Sequence, residues 1–345
     1  MKGGLLLLPH EPPERLVAIA RLAESCGYDH LWLADERFFR EVYASLALCA
    51  VRTARIRLGP CVTDPYSRHP ALTAMAIATL DELSDGRAVL GLGAGISGFA
   101  ELGVRRDKPA RAIRETATLV RRLLAGETVS LCGEVVQFHA GRLDFAPARP
   151  GVPMYVASNG PLGQRAAGAV ADGAIMEGCG TAGEARALAA EVRRGADETG
   201  RDPAVVELVA RLNACIADDG KAARDVLRPR VARTLGAGRL KFATLESEGL
   251  ALPAEARAPV AGVPYRAGLT PYRSIVPLVT DRHVDALTLA GTVDEVAEHV
   301  VALGRAGIGQ VAIHPLEPPG GTVDDTIRRF GEEVLPQAQK ALGHR

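Results

Sequence analysis

No surplus of either charge marks this chain: 41 Lys and Arg stand against 41 Asp and Glu in 345 residues. A surface that tracks nucleic acid or an anionic membrane needs a basic excess, so neither partner is expected. The six cysteines, at 26, 49, 61, 132, 179 and 215, include no CxxC pair. Their spacing suggests neither zinc nor a disulfide framework, and points instead to reduced thiols in a cytoplasmic protein. The apolar run Leu5–Leu8 stops at Pro9, too short for a signal-peptide core or a membrane span. The histidines at 139, 283, 299 and 314 show no ligand spacing, so no metal is expected. No internal repeat shorter than a strand–helix unit is evident.

What is present is alternation. Apolar strand patterns run over 4–8, 29–34, 56–58, 88–92, 153–157, 173–176, 205–216 and 309–313. Helical patterns lie between them over 14–25, 42–52, 71–83, 108–125, 162–171 and 182–199, and the last over 323–339. Near-continuous apolar strands are expected when both faces of a sheet are covered. Eight strands alternating with helices predict an α/β fold, a TIM (β/α)8 barrel. With 47% hydrophobic residues the chain can bury one sizeable core, so 1–345 is expected to be a single domain with insertions. Residues 126–152 read as a hairpin insertion. Residues 228–289, with scattered Gly and Pro, read as an irregular, partly helical insertion that could serve as a lid.

The richest stretch is Leu58–Gly95, LGPCVTDPYSRHPALTAMAIATLDELSDGRAVLGLGAG. It reads as strand, loop, helix, tight turn, strand. Its polar and glycine residues follow the strands, where such barrels build active sites. The stretch resembles the luciferase-like superfamily of flavin- and deazaflavin-dependent oxidoreductases, and within it the methylenetetrahydromethanopterin reductase branch. The segment from Val136 through Arg142–Phe145 to Pro150–Ser158 is similar to that family's barrel-closing segment. The likeness is good over about the first 180 residues and thins between about 220 and 290.

The resemblance implies an oxidoreductase that passes a hydride between reduced deazaflavin, coenzyme F420, and an unsaturated C=N or activated C=C substrate. The VTxPYxRHPA stretch favours F420. The alternative keeps the fold and uses FMN, supplied reduced by a separate reductase, for monooxygenation. A hydrolytic or metal-dependent barrel enzyme, or a non-catalytic cofactor-binding member, are readings of other classes. Relatives of this kind commonly form homodimers through barrel helices.

Candidate site residues follow the strand ends. Asp35 and Glu36 come after the second strand. They are the catalytic candidates, since a carboxyl near an apolar ring can move protons. A surface ion-pair cluster with Arg37 and Arg40 is the alternative. Many relatives carry a histidine where Glu36 stands, and the first strand ends at His10 where the reductases tend to carry glutamate, so the proton-handling set looks rewritten. Cys61, Val62 and Thr63 follow the third strand. The resemblance implies a cis Cys61–Val62 bond backing the cofactor ring. Gly93, Ala94 and Gly95 allow either a sharp turn or close approach by a planar cofactor. Ser158, Asn159, Gly160 and Pro161 open a helix, as an ordinary cap or as a phosphate seat. Gly178 and Cys179 offer a second cofactor contact. Arg68 could pair with a site carboxylate or with Asp64, and His69 could touch substrate or begin a helix. Asp81, Glu82 and Arg87 read as structural.

Overall fold

The computed structural model describes residues 1–95, 98–264 and 267–343. In chain order its regular elements begin with β1 (Lys2–Leu7), α1 (Pro13–Ser25), β2 (His30–Leu33), α2 (Val42–Ala50), β3 (Arg57–Pro60), α3 (Pro70–Leu83), β4 (Leu90–Gly93) and α4 (Pro109–Leu124). They continue with β5 (Val129–Cys132), β6 (Gln137–Gly141), β7 (Met154–Ala157), α5 (Pro161–Val170), β8 (Gly173–Glu177), α6 (Ala182–Asp197), β9 (Glu207–Ile216) and α7 (Gly220–Ala237). The last are α8 (Ala254–Arg257), α9 (Asp281–Leu287), β10 (Thr288–Gly291), α10 (Val293–Arg305), β11 (Gln310–Pro315), α11 (Val323–Arg328) and α12 (Leu335–Ala341). Helices α1, α3, α4 and α5 each start on a proline, whose missing N–H costs nothing in the first turn.

The fold is the mostly parallel (β/α)8 barrel, with strand order β3-β2-β1-β11-β9-β8-β7-β4 and β10 added beside β9. Strands β5 and β6 pair antiparallel, as a separate two-stranded hairpin. One strand was not read from the sequence. Thr288–Gly291 starts in the last two residues of the stretch expected to be an irregular insertion, 228–289, and pairs in parallel with Asn213–Ile216. Four residues between two helices give too short a pattern to separate strand from helix end.

The contacts divide the chain into two compact units. One comprises Leu6–Ile175 and Glu191–Glu207. Within it β2 pairs with β3, and β4 with β7. Its core stacks His30 on Trp32, ring centroids 5.5 Å apart, with Tyr155 edge-on to Trp32 at 5.3 Å. The Tyr155 hydroxyl donates to Glu207 at 2.8 Å, so the aromatic cluster keeps its polar tip satisfied. The second unit comprises Met1–Leu5, Met176–Ala190 and Leu208–Arg345. There β1 pairs with β11, and β11 and β10 both pair with β9. Leu227, Val231, Tyr272, Ile275 and Leu287 form part of a buried apolar cluster that joins α7 to the segment before β10.

The Leu58–Gly95 motif is held by two latches, one a salt bridge and one a set of arginine–carbonyl hydrogen bonds. Buried Asp81 accepts both Arg149 Nε and Nη2 at 2.8 Å and the Ala88 N–H at 3.2 Å. Arg87 donates to the carbonyls of Ala50, Thr53, Ile56 and Ser84 at 2.7–3.0 Å. Both side chains are structural, as their place at a helix end implied. Strands β3 and β4 meet only at Leu58–Ala88 and Thr63–Leu92. Between those points their backbones crowd: a Cβ on Gly59 would land on the Val89 carbonyl, and one on Gly91 on the Pro60 carbonyl.

Backbone atoms cannot yield as a flexible side chain can. Gly59→Ala should therefore destabilise the protein by about 2–4 kcal/mol in urea unfolding. Gly151→Ala, where a Cβ meets nothing within 4 Å, should change stability by less than about 0.5 kcal/mol. Equal effects would refute the crowding argument.

Candidate functional site

The polypeptide leaves β2 at Leu33 and enters Ala34-Asp35-Glu36-Arg37, while β3 runs from Pro60 into Cys61-Val62-Thr63-Asp64. These two strand ends lie side by side. The Thr63 hydroxyl donates to Asp35 Oδ2 at 2.7 Å. Arg68 Nε lies 3.9 Å from the same oxygen, and Arg68 Nη2 pairs with Glu41 at 2.5 Å. Arg68 also lies over the ring of buried Tyr43, 4.7 Å from its centroid. Burial raises the Asp35 pKa, against the lowering effects of the Thr63 hydrogen bond and the Arg68 charge, while the Asp64 and Glu41 carboxylates reinforce the rise. Burial, reinforced by the Asp35 charge, likewise raises the Tyr43 phenol.

The surface-pair alternative for Asp35 does not describe this arrangement. Arg37 is bound instead to Asp64, with its guanidinium 4.0 Å from the Phe99 ring centroid. Arg40 donates to the His10 carbonyl at 2.6 Å. That also decides Arg68: its partners are Glu41 and Asp35, because Asp64 is taken by Arg37 and by Tyr66 and Ser67. Glu36 is half-buried on the same loop. His69 begins α3. Its Nδ1 accepts the Ala71 N–H at 3.1 Å and its Nε2 meets the Gln137 carbonyl of β6 at 2.9 Å, so both ring nitrogens are engaged by the fold.

The Cys61–Val62 peptide bond is cis, and both residues are half-buried. Thr63 is tied to β4 through its N–H to Gly91 O and its carbonyl to the Gly93 N–H, each 3.0 Å. Gly93 is buried, and a Cβ there would meet Val62 at 2.5 Å. Its glycine is thus needed first for the approach of β3. Ala94 and Gly95 are half-buried beyond the strand end, and the Gly95 carbonyl accepts from Arg106.

Gly160 caps the ten-residue helix α5, with Pro161 at its first position and no acidic residue in the first turn. The Gly160 N–H donates to the Ser158 hydroxyl at 3.1 Å. Ser158, Asn159 and Gly160 are half-buried, and Pro161 and Leu162 are exposed. A Cβ on Gly160 would meet nothing nearer than Ser158 Oγ at 4.0 Å.

In the second unit, Gly178 follows β8 with φ of 72°, and Phe242 and Leu287 close over its Cα. Cys179 is fully buried; burial first, then the Glu184 charge, pushes its thiol up to about 12. Only backbone at 178–180 can therefore meet a ligand there. Sequence reasoning passed over Tyr43, Glu41 and the Arg37–Asp64–Phe99 group. Tyr43 lies in a helix with no charged residue and gives no signal of its own. It also passed over Arg211, a lone cation in the apolar run of β9, which pairs with Glu177 at the end of β8. That isolated charge was a visible signal.

A family model described as luciferase-like monooxygenase matches residues 1–310. The chain is 31% identical over 339 residues to the 5,10-methylenetetrahydromethanopterin reductase of Archaeoglobus fulgidus, covering 98% of this chain and 99% of that one. It is 30% identical over 348 residues to the F420-dependent glucose-6-phosphate dehydrogenase of Beutenbergia cavernae, covering 94% and 93%. The solved structure of the coenzyme F420-dependent tetrahydromethanopterin reductase from Methanopyrus kandleri superposes with a TM-score of 0.85 at 27% identity, over 97% of this chain and 98% of that one.

The raised Asp35 pKa sets a stability test. Folding disfavours the charged carboxylate, so the folded protein holds this proton to higher pH than the unfolded chain. Stability is lost as pH rises from the ordinary Asp value through the raised one, and the cost is full above both. Asp35→Asn, which cannot ionise, should be more stable than the parent in urea at neutral pH, with the gap closing on acidification. A gap that widens in acid would contradict the burial argument.

Proposed function

We infer the reaction from one premise: the chain belongs to the luciferase-like monooxygenase family, whose model spans residues 1–310. The protein is an F420-dependent oxidoreductase that transfers a hydride between the reduced deazaflavin and an unsaturated small molecule. The observation that carries this reading is the end-to-end likeness, in sequence and in fold, to tetrahydromethanopterin reductases, one of them named as F420-dependent. Monooxygenation with FMN is the weaker reading, because the named redox cofactor of these full-length relatives is F420.

The residues present suit such a cofactor. Residues 158–161 offer a helix start with no carboxylate, where N–H groups and the helix dipole favour an anionic tail. The half-buried Cys61-Val62 turn, with Thr63 behind it, would back the ring, and Ala94, Gly95 and the backbone of Gly178 and Cys179 would flank the cofactor. When bound, F420 supplies the hydride. The chain's own work is the proton. Asp35, whose pKa burial raises, is proposed as the group that moves it, with Thr63 orienting its carboxyl and Glu36 following it in the loop. Arg68 keeps a positive charge nearby and cannot itself give up a proton.

The substrate is proposed to carry a C=N or activated C=C bond, with Arg68 at the edge of its seat. The methanopterin of the relatives is not carried over, because His10 stands in the turn after β1, where that branch tends to carry glutamate. Residues 228–289 are proposed to serve as a lid. They are pinned by buried Glu184, which accepts the N–H groups of Ala243 and Thr244 at 3.1 and 2.7 Å. The protein is proposed to work as a cytoplasmic homodimer, its cofactor reduced by a separate enzyme. Free thiols at all six cysteines fit a reducing compartment. Exposed Val51, Leu72, Met75 and Leu83 on and beside α2 and α3 fit a self-association face.

Titration with F420 and with FMN, followed by fluorescence, should give saturable binding of F420 and weaker binding of FMN; the reverse order would favour the monooxygenase. At Gly160 an added Cβ would meet nothing nearer than Ser158 Oγ at 4.0 Å, so Gly160→Val should change the melting temperature little while weakening F420 by about tenfold or more. Unchanged affinity would remove the anion seat. Glu36→Gln should slow turnover and spare cofactor binding; full activity would make Glu36 a bystander.

A further inference from the structure

Tyr43 stands in the first turn of α2, beneath the arginine that flanks Asp35. Its ring carries the Arg68 guanidinium 4.7 Å from the centroid. The residue is 8% exposed, and its hydroxyl, shut off from solvent, makes no close hydrogen bond among the described residues. A buried phenol ordinarily finds a partner for its polar tip, as Tyr155 does with Glu207. A phenylalanine would fill the same space without leaving a hydroxyl dry. The unpaired group therefore lowers stability, and such groups collect where a site has another use for them.

The surroundings of this hydroxyl are the proton site. Burial raises the phenol most, and the Asp35 charge adds to the rise. The Thr63 hydroxyl and the Arg68 charge oppose it, and the Glu41 carboxylate adds to it. The same Thr63, Arg68 and Glu41, together with Asp64, act on Asp35. Thr63 already donates its one hydrogen to Asp35 Oδ2 at 2.7 Å. Its oxygen keeps lone pairs that accept. Tyr43 keeps its hydrogen over the whole range in which Asp35 titrates, so it can supply the donor that the Thr63 oxygen lacks. Hydrogen bonds in series polarise one another, and the effect is greatest when the last acceptor is charged.

We propose that Tyr43 is a positioning residue for the proton step: its hydroxyl donates to Thr63 Oγ1 when Asp35 is a carboxylate, and stands idle when Asp35 holds its proton. This rests on the reading of Asp35 as the group that moves the proton, and adds the residue that sets how tightly the proton is held. Tyr43 acts through Thr63 and not by contact with substrate. The hydroxyl is unpaired in one protonation state so that it can be used in the other.

The test follows the Asp35 carboxyl carbon by NMR in the full chain, its signal identified by loss in Asp35→Asn. The parent should titrate above the ordinary aspartate range. Tyr43→Phe keeps the ring beneath Arg68 and deletes only the hydroxyl. It should hold the Asp35 proton about threefold more tightly, because the carboxylate loses its relayed donor. In mild acid, with Asp35 protonated, it should melt no lower than the parent. The same change made on a Thr63→Val background should leave the Asp35 midpoint where Thr63→Val alone puts it. A midpoint unmoved by Tyr43→Phe overturns the proposal. So does an equal movement with Thr63→Val present, since the phenol then acts directly across space. A melting temperature several degrees lower in mild acid also overturns it, because the hydroxyl then serves the fold. A parent midpoint in the ordinary range sinks the reading of Asp35 itself, whereas a raised parent midpoint without the Tyr43 contrast sinks this inference alone.

Discussion

Two strands that approach too closely for side chains organise the site. Gly59 and Gly91 let the backbones of β3 and β4 cross within carbonyl contact, and Gly93 makes room for Val62. The pairing resumes only at Thr63, whose N–H and carbonyl both bond to β4. The bulge between Gly59 and Thr63 has nowhere to go except the strand end, so Cys61 and Val62 lie half-exposed there. Thr63 then faces the loop after β2 and holds Asp35. A Cβ at Gly59 or Gly91 would collide with a backbone carbonyl and force these strands apart, disturbing the turn that carries Thr63 to Asp35.

Around this frame charge is sorted by burial. Asp81 and Arg149 are bonded to each other and to backbone, and Arg87 to backbone carbonyls, which makes them latches rather than reagents. Asp35 differs. One oxygen is held by Thr63, the nearest cation lies at 3.9 Å, and burial outweighs both in raising its pKa. A buried carboxyl left short of compensation binds its proton more tightly than a free one. The latch residues have their compensation and give rigidity instead. Two acidic residues of one motif region thus come to opposite uses through their surroundings alone.

Much of the site was legible because its signals were local. Prolines marked four helix starts, and the Gly-Pro-Cys-Val-Thr stretch marked a turn after a strand. What sequence could not rank was pairing among charges. Arg37, Arg40 and Arg68 lie near Asp35 and Asp64 in the chain, and any of several ion pairs was open. Packing of Phe99 against Arg37 and of Tyr43 under Arg68 made the choice. Strand β10 escaped for a similar reason: its four residues become a strand only beside the far end of β9.

The chain alone determined the α/β barrel class, the strand–helix alternation and the places where strands end, because apolar period, proline and glycine act over a few neighbours. It also carried the family likeness through one continuous motif. Tertiary structure decided which carboxyl stays uncompensated, which arginine lies beside it, and whether a glycine serves a turn or a neighbouring strand. Those outcomes depend on atoms from residues tens of positions apart, whose distances and desolvation no local pattern encodes.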